Sequence, residues 1–363
     1  MQIALTKKLA DAIKNKPPAG QEDLNPLFTW TANWTNVYQD GADDLLILVN
    51  NATRFVAAVY PFGKKDLEQI EQIMIDAIRN TLLAFNFNPE MVNEYFHLAG
   101  EVKFSRNSSR AAASWVSKAG LDCAIVIGNT LTDSTLHPKD TLARTVNYWS
   151  VSLPNKKGEG VPYQEMSRAL AKLTKQPIYS YRAFELLVTL DLETYKAERR
   201  LIVPASIDFF RLHEVLQSVF NWDNCHLYDF TIPGADPYSP LHRLVPFEDD
   251  LEYDPSATLL NDHKLQDFLP KYKELIYTYD FGDNWEHRIR LVKVLDEYSE
   301  ESPFLLAAKG KTPPEDVGGI PGFLYFLEVL QDPQHPEHTA WKEWAGYWDP
   351  ELFEWEKKPR LVW

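Results

Sequence analysis

The sequence predicts an α+β protein of two domains, and three observations carry that expectation. The chain has 363 residues, more than one hydrophobic core usually serves. Hydrophobic residues make up 45% and charged residues 25%, the balance of an ordinary globular protein. Helix-period and strand-period stretches alternate on both sides of Leu153–Pro162, a stretch with no apolar period that reads as a linker. The expected division is an N-terminal α+β domain over 1–150, a linker and bridging helix over 151–177, and a C-terminal domain over 178–363. The last should be a mixed or antiparallel sheet with packed helices.

The first domain opens with a short helix, Lys7–Lys14, which Pro17 and Pro18 cannot continue. Two β-type runs follow, Asp44–Asn50 and Arg54–Tyr60, with hairpin chemistry at Asn50-Asn51-Ala52-Thr53 between them. Leu67, Ile70, Ile73, Met74, Ala77 and Ile78 recur at helical steps. Asn88-Pro89 starts another helix as N-cap and first residue, and Gly100 closes it. Glu101–Ser105 reads as a strand and Ser108–Lys118 as a helix.

The second domain opens after the bridging helix Gln164–Leu173, with strands Ala183–Leu190 and Arg200–Pro204. Phe209, Leu212, Val215, Leu216 and Val219 line one face of a helix over Asp208–Val219. His226–Ile232 alternates as a strand, and Pro233–Pro255 is a loop-rich acidic insert. Leu275–Phe281 and Trp285–Leu295 form the clearest hairpin in the chain. Two helices, Pro321–Leu330 and Pro336–Ala345, close the domain.

Charge and composition exclude several classes. The net charge of −15 lacks the basic footprint of a nucleic-acid binder. The basic segments Lys172–Lys175 and Lys357–Arg360 are short enough to be solvated helix ends. No stretch approaches bilayer-spanning length, and the first residues lack the pattern of a signal peptide. The two cysteines, Cys123 and Cys225, make neither a disulfide framework nor a zinc cluster, which points to a reduced, cytoplasmic setting. The expected partner is a protein, with nucleic acid disfavoured by charge and no membrane.

Several separated strings in the second domain resemble the plasmid pRiA4b ORF-3-like family. They are Arg200–Pro204, Leu212-His213, Phe220–Asp223, His226–Phe230, Tyr279-Asp280-Phe281-Gly282-Asp283-Asn284-Trp285-Glu286-His287, and Pro313-Pro314-Glu315-Asp316-Val317-Gly318-Gly319. The resemblance spans roughly residues 178–355, a whole domain by usual sizes. It implies an α+β fold and an association with plasmids or mobile elements, without a defined activity. Family members often carry a cysteine shortly before the Pro-Pro-Glu-Asp string. Here Phe304–Gly310 has none, which weakens a cysteine-based role at that place. Thr6–Leu9, Leu27–Asn33 and Val49–Arg54 resemble another small domain of unknown function.

Two stretches could carry chemistry. In the hairpin, Trp285, His287, Ile289 and Leu291 share one strand face, so His287 sits on the apolar side. Asp280 and Asp283 fit a turn-fastening role, with His287 a buried imidazole. Alternatively Asp280, Asp283 and His287 converge as divalent-metal ligands or an acid/base set. In the Pro313–Gly319 loop, Glu315 and Asp316 either cap the following helix or complete that cluster. His213 and His226 lie among apolar neighbours and read as satisfied core histidines. In the first domain, Phe28, Trp30 and Trp34 with Asn33 and Arg54 are expected to pack the core and its edges. No complete catalytic motif is present, and no cofactor is expected beyond a divalent metal. The leading expectation is macromolecular binding without catalysis. The rival is a metal-dependent hydrolase or nuclease using Asp280, Asp283, His287, Glu315 and Asp316.

Overall fold

The chain divides into two units, Met1–Ser180 and Tyr181–Trp363. The computed structural model describes all residues except 15, 22, 38–43, 131–140, 155–156, 236–239, 347, 349–359 and 362–363. Pro237 of the acidic insert, Asn155 and Lys156 of the expected linker, and Lys357 and Lys358 therefore lie outside the described residues.

In the first unit, strand Asp44–Asn50 is apolar at Leu45, Leu46, Ile47, Leu48 and Val49 in succession, and all five are buried. A strand with both faces apolar must be covered on both sides. Leu46 and Leu48 join a core with helices Ile70–Ala84 and Pro89–Ala99, whereas Leu45, Ile47 and Val49 join one with helices Arg110–Thr130 and Thr141–Tyr148. Between these layers the strands run in the order Val56–Phe62, Asp44–Asn50, Thr29–Asn36, Gln2–Leu5, Lys103–Arg106. Gln2–Leu5 pairs parallel to both of its neighbours. Asn88 caps its helix as expected, accepting from Glu90 N–H at 3.0 Å, and Gly100 takes φ 64 at the other end.

Two expectations for this unit need correction. The segment read as linker and bridging helix belongs to the first unit. Helix Pro162–Thr174 buries Tyr163, Met166 and Leu170 in its core, and Asn88 N–H donates to Ile178 O at 2.8 Å. Helix Arg110–Thr130 outruns the expected Ser108–Lys118 and holds a 19-residue stretch long and apolar enough to cross a bilayer. Val116, Ala119, Cys123, Val126 and Ile127 of that helix are buried in the unit's own core. The aromatics of this unit pack into its core as expected: Trp30 is buried and donates to Tyr95 Oη at 2.9 Å, and Arg54 is buried against Trp115.

In the second unit the described residues form a nine-stranded sheet. Its order is Thr258–Leu259, His242–Val245, Tyr228–Ile232, Glu274–Tyr279, Trp285–Tyr298, Tyr181–Leu192, Tyr195–Pro204, Phe304–Lys309, Arg360–Leu361. Pairing is antiparallel except between the first two. One face is apolar, with Leu186, Val188, Leu201, Tyr277, Trp285 and Ile289 packed under helices Phe209–Phe220 and Gly319–Gln331. The other presents Thr189, Glu198, Arg200, Glu286, Arg288 and Arg290, in keeping with an antiparallel sheet solvated on one side. The protein is thus α+β in both units, as its residue patterns predict.

Candidate metal centre

Three segments meet at one end of this sheet, and each is held by bonds that follow from its residues. The first is the turn after helix Phe209–Phe220. Asn221 ends the helix in the left-handed region, φ 58, a conformation asparagine tolerates. Gln217 Oε1 then accepts from Asn224 N–H at 2.8 Å, and Asn224 Oδ1 meets His213 Nε2 at 2.8 Å. Since that oxygen can only accept, His213 Nε2 carries the proton and Nδ1 accepts from Tyr277 Oη at 2.8 Å. His213 is a satisfied core histidine, stacked on Tyr228, and burial pushes its pKa down to about 4. The turn so fixed delivers Cys225 and His226.

The second segment is the hairpin loop between Tyr279 and Trp285, which are paired across the ladder. Asp280 adopts φ 57, its N–H donates to Leu227 O at 2.9 Å, and its Oδ1 accepts from Gly282 N–H at 2.9 Å. Asp283 Oδ2 accepts from Gly318 N–H at 3.1 Å, which ties the hairpin to the third segment, the loop Pro313–Gly319. A Cβ on Gly319, at φ 66, would stand 2.8 Å from Asp283 O, so that approach requires glycine. The loop's other end hangs from Arg199. This buried guanidinium donates to Val219 O at 2.6 Å, Gly310 O at 2.9 Å and Thr312 Oγ1 at 3.3 Å.

His226 lies where these segments converge. Its Nε2 is 3.7 Å from Asp280 Oδ2, 3.7 Å from Glu315 Oε2 and 3.2 Å from Asp316 Oδ1. Glu315 Oε1 accepts from Asp223 N–H at 2.8 Å and Tyr279 Oη at 3.0 Å. Its Oε2 is buried without a hydrogen bond among the described residues, and His226 Nε2 is in the same position. Burial raises the Glu315 carboxyl above its usual range, against the two donors that lower it. Ligand atoms of Cys225, His226 and Glu315 lie within 4.8 Å of one another, as do those of His226, Asp280 and Asp316. An ion about 2.1 Å from each ligand holds neighbouring ligands roughly 3.0–3.5 Å apart, close to the 3.2–3.7 Å between His226 Nε2 and the three carboxylates.

Of the sequence candidates, Asp280, Glu315 and Asp316 reach this centre, and Asp283 braces it from the side. His287 does not reach it. Its ring is fully buried, Nε2 accepts from Trp222 Nε1 at 3.2 Å, and Nδ1 donates to Trp285 O at 2.9 Å. Both nitrogens are occupied and burial pushes the pKa down to about 3, so this neutral imidazole offers no lone pair to an ion. The histidine of the centre is His226, which its apolar neighbours had marked as core. Its strand begins only at Tyr228, so His226 belongs to the polar turn Asn221–Cys225 before it.

Comparison with known proteins agrees with this division. Residues 182–357 match the plasmid pRiA4b ORF-3-like protein family, and residues 2–165 match a domain of unknown function, DUF6933. The uncharacterized protein y4hQ of Sinorhizobium fredii (strain NBRC 101917 / NGR234) is 38% identical over 161 residues, covering 44% of this chain and 79% of that protein. A crystal structure of the protein of unknown function MM3350 from Methanosarcina mazei Go1 is similar at 32% identity. It covers 47% of this chain and 96% of its own, with a TM-score of 0.41. By its second unit, which holds the His226 centre, the chain belongs to the plasmid pRiA4b ORF-3-like family.

Proposed function

We propose that the second unit is a divalent-metal module centred on His226, and that its chemistry is metal-assisted hydrolysis. One observation carries the reading: two buried polar atoms without hydrogen bonds among the described residues, His226 Nε2 and Glu315 Oε2, face each other at 3.7 Å. Burying such atoms unpaired costs about 1–3 kcal/mol each, and a cation between them would satisfy both. Asp280 and Asp316 add two more carboxylates beside the same nitrogen. The Asp316 side chain is 72% exposed, which leaves one side of the centre open to water and substrate. When bound there, an ion would supply the Lewis acidity that activates a water, and Asp280 or Asp316 would be the carboxylate placed to take the proton.

Metal content measured on the purified protein tests this. The wild type should carry or take up close to one equivalent, His226→Ala should lose it, and His287→Gln should keep it. An imidazolium at His226 would also suit three carboxylates, and in that case wild type and His226→Ala would both stay metal-free, which sinks the proposal. A second reading, docking of another protein, rests on the solvated face of the sheet. That face holds a concavity of about 420 Å³ edged by Lys196, Glu198, Glu274, Arg288 and Arg290.

A further inference from the structure

His226 is shared by two ligand sets of different chemistry. Cys225 and Glu315 offer sulfur and one oxygen beside its nitrogen, whereas Asp280 and Asp316 offer oxygens only. The sulfur is positioned by the turn: Cys225 N–H donates to Tyr279 Oη at 3.1 Å, and Sγ lies 3.8 Å from the same oxygen. That hydroxyl also donates to Glu315 Oε1, so one tyrosine sets both Cys225 and Glu315. With Oε1 engaged twice, Oε2 is the glutamate oxygen left to bind. Cys225 is exposed, so its sulfur can be reached by an ion from solvent.

Resting on the metal-centre reading, we infer that the resident ion is zinc, held by Cys225 Sγ, His226 Nε2 and Glu315 Oε2. Thiolate and imidazole together favour zinc over magnesium or manganese, which prefer all-oxygen shells. The two carboxylates of the other set have less need of an ion. Asp280 Oδ1 is bonded to Gly282 N–H, and Asp316 is largely in water. Three protein ligands leave the fourth tetrahedral position to a water molecule, the pattern of catalytic rather than structural zinc. Asp280 and Asp316, 3.7 and 3.2 Å from His226 Nε2, would be the carboxylates near enough to accept hydrogen bonds from that water. Binding is balanced by release of the Cys225 thiol proton to solvent as the S–Zn bond forms.

The test uses the full-length protein stripped with a chelator, then titrated separately with zinc, manganese and cobalt(II) ions. Cobalt(II) bound through a thiolate gives a sulfur-to-metal charge-transfer absorption. The wild type should show that band, and Cys225→Ser should lose it while still binding cobalt. Cys123, the other cysteine, is fully buried in the first unit and serves as an internal control. Zinc affinity should fall at least tenfold in Cys225→Ser and in Glu315→Gln, with manganese affinity little changed. Zinc should also protect Cys225 from alkylation, read by mass spectrometry on the wild type without any substitution. A cobalt complex lacking the band, or unchanged zinc affinity in Cys225→Ser, would overturn the sulfur ligand while His226→Ala still abolishes binding. Zinc binding undiminished in His226→Ala would remove the centre itself.

Discussion

Acidification should unfold the second unit through two histidines that it folds in their neutral form. Burial pushes His213 down to about 4 and His287 down to about 3. In the unfolded chain each titrates near 6.5. Between those values the unfolded state holds a proton that the folded state refuses. Stability is therefore complete above about pH 6.5 and drains as the pH falls towards the folded values. Integrating that linkage from pH 8 to pH 5 gives a loss of about 2 kcal/mol per histidine, or about 4 kcal/mol for the pair. Typical domain stability is about 5–15 kcal/mol, so the loss is a large share. Burial raises the Asp229 and Glu315 carboxyls, which regain stability as pH falls and act near the acid edge of this window. The comparison therefore stops at pH 5. Urea unfolding at several pH values, with chelator present, can be followed by tryptophan fluorescence, since Trp222 and Trp285 pack beside His287. The double variant His213→Gln, His287→Gln should be less stable at pH 8 but nearly flat down to pH 5. A wild type that keeps its stability within about 1 kcal/mol over this range, or a double variant falling as steeply, would refute the reasoning.

Two further outcomes follow from the backbone and the core. Gly319→Ala places a Cβ 2.8 Å from Asp283 O at φ 66 and should cost about 1–3 kcal/mol. Gly282→Ala, whose φ is ordinary and whose nearest atom is a side-chain oxygen at 3.2 Å, should cost less by denaturant midpoint. A fragment ending at residue 180 should fold cooperatively, whereas one ending at residue 150 should not. The shorter fragment loses Tyr163, Met166 and Leu170 from the core, at about 1.5–3 kcal/mol for each buried side chain. Circular dichroism and thermal melts separate the two.

The parts of this protein legible in its sequence are those whose pattern and pairing are local. The hairpin Glu274–Tyr279 with Trp285–Tyr298 needs only a short loop, and its alternation names the buried face correctly. Gln2–Leu5 carries too few residues for periodicity, and its parallel partners Thr29–Asn36 and Lys103–Arg106 come from distant chain, so nothing local marks it as a central strand. Helix Pro162–Thr174 shows its amphipathic period plainly, but a period does not say which core it serves. The stacking of its Tyr163 on Phe85 decides that, and it is tertiary. At the centre, Glu315 and Asp316 were visible as carboxylates in a stiff loop. Their distance from the hairpin closed through tertiary bonds, Gly318 N–H to Asp283 Oδ2 and Tyr279 Oη to Glu315 Oε1.

The two histidines exchange the roles that their surroundings in sequence suggest, and the reason is the sheet. His287 stands within the most recognisable string of the chain, on a strand that must bury alternate residues, and paired opposite Tyr277 it is committed to the interior. His226 stands two residues before its strand, where the ladder does not yet dictate which face a side chain takes. Leu227 O accepting from Asp280 N–H continues the pairing of Tyr228 with Tyr279 by one step, which carries His226 to the mouth of the hairpin loop. The familiar string thus supplies the floor: Tyr277, Tyr279, Trp285 and His287 are fully buried and fixed by rings and hydrogen bonds. Tyr279 Oη then reaches out of that floor to join Cys225 and Glu315. A site assembled this way is stiff where it rests on the sheet and open where Asp316 meets solvent, which is the asymmetry that a metal with one exchangeable position requires.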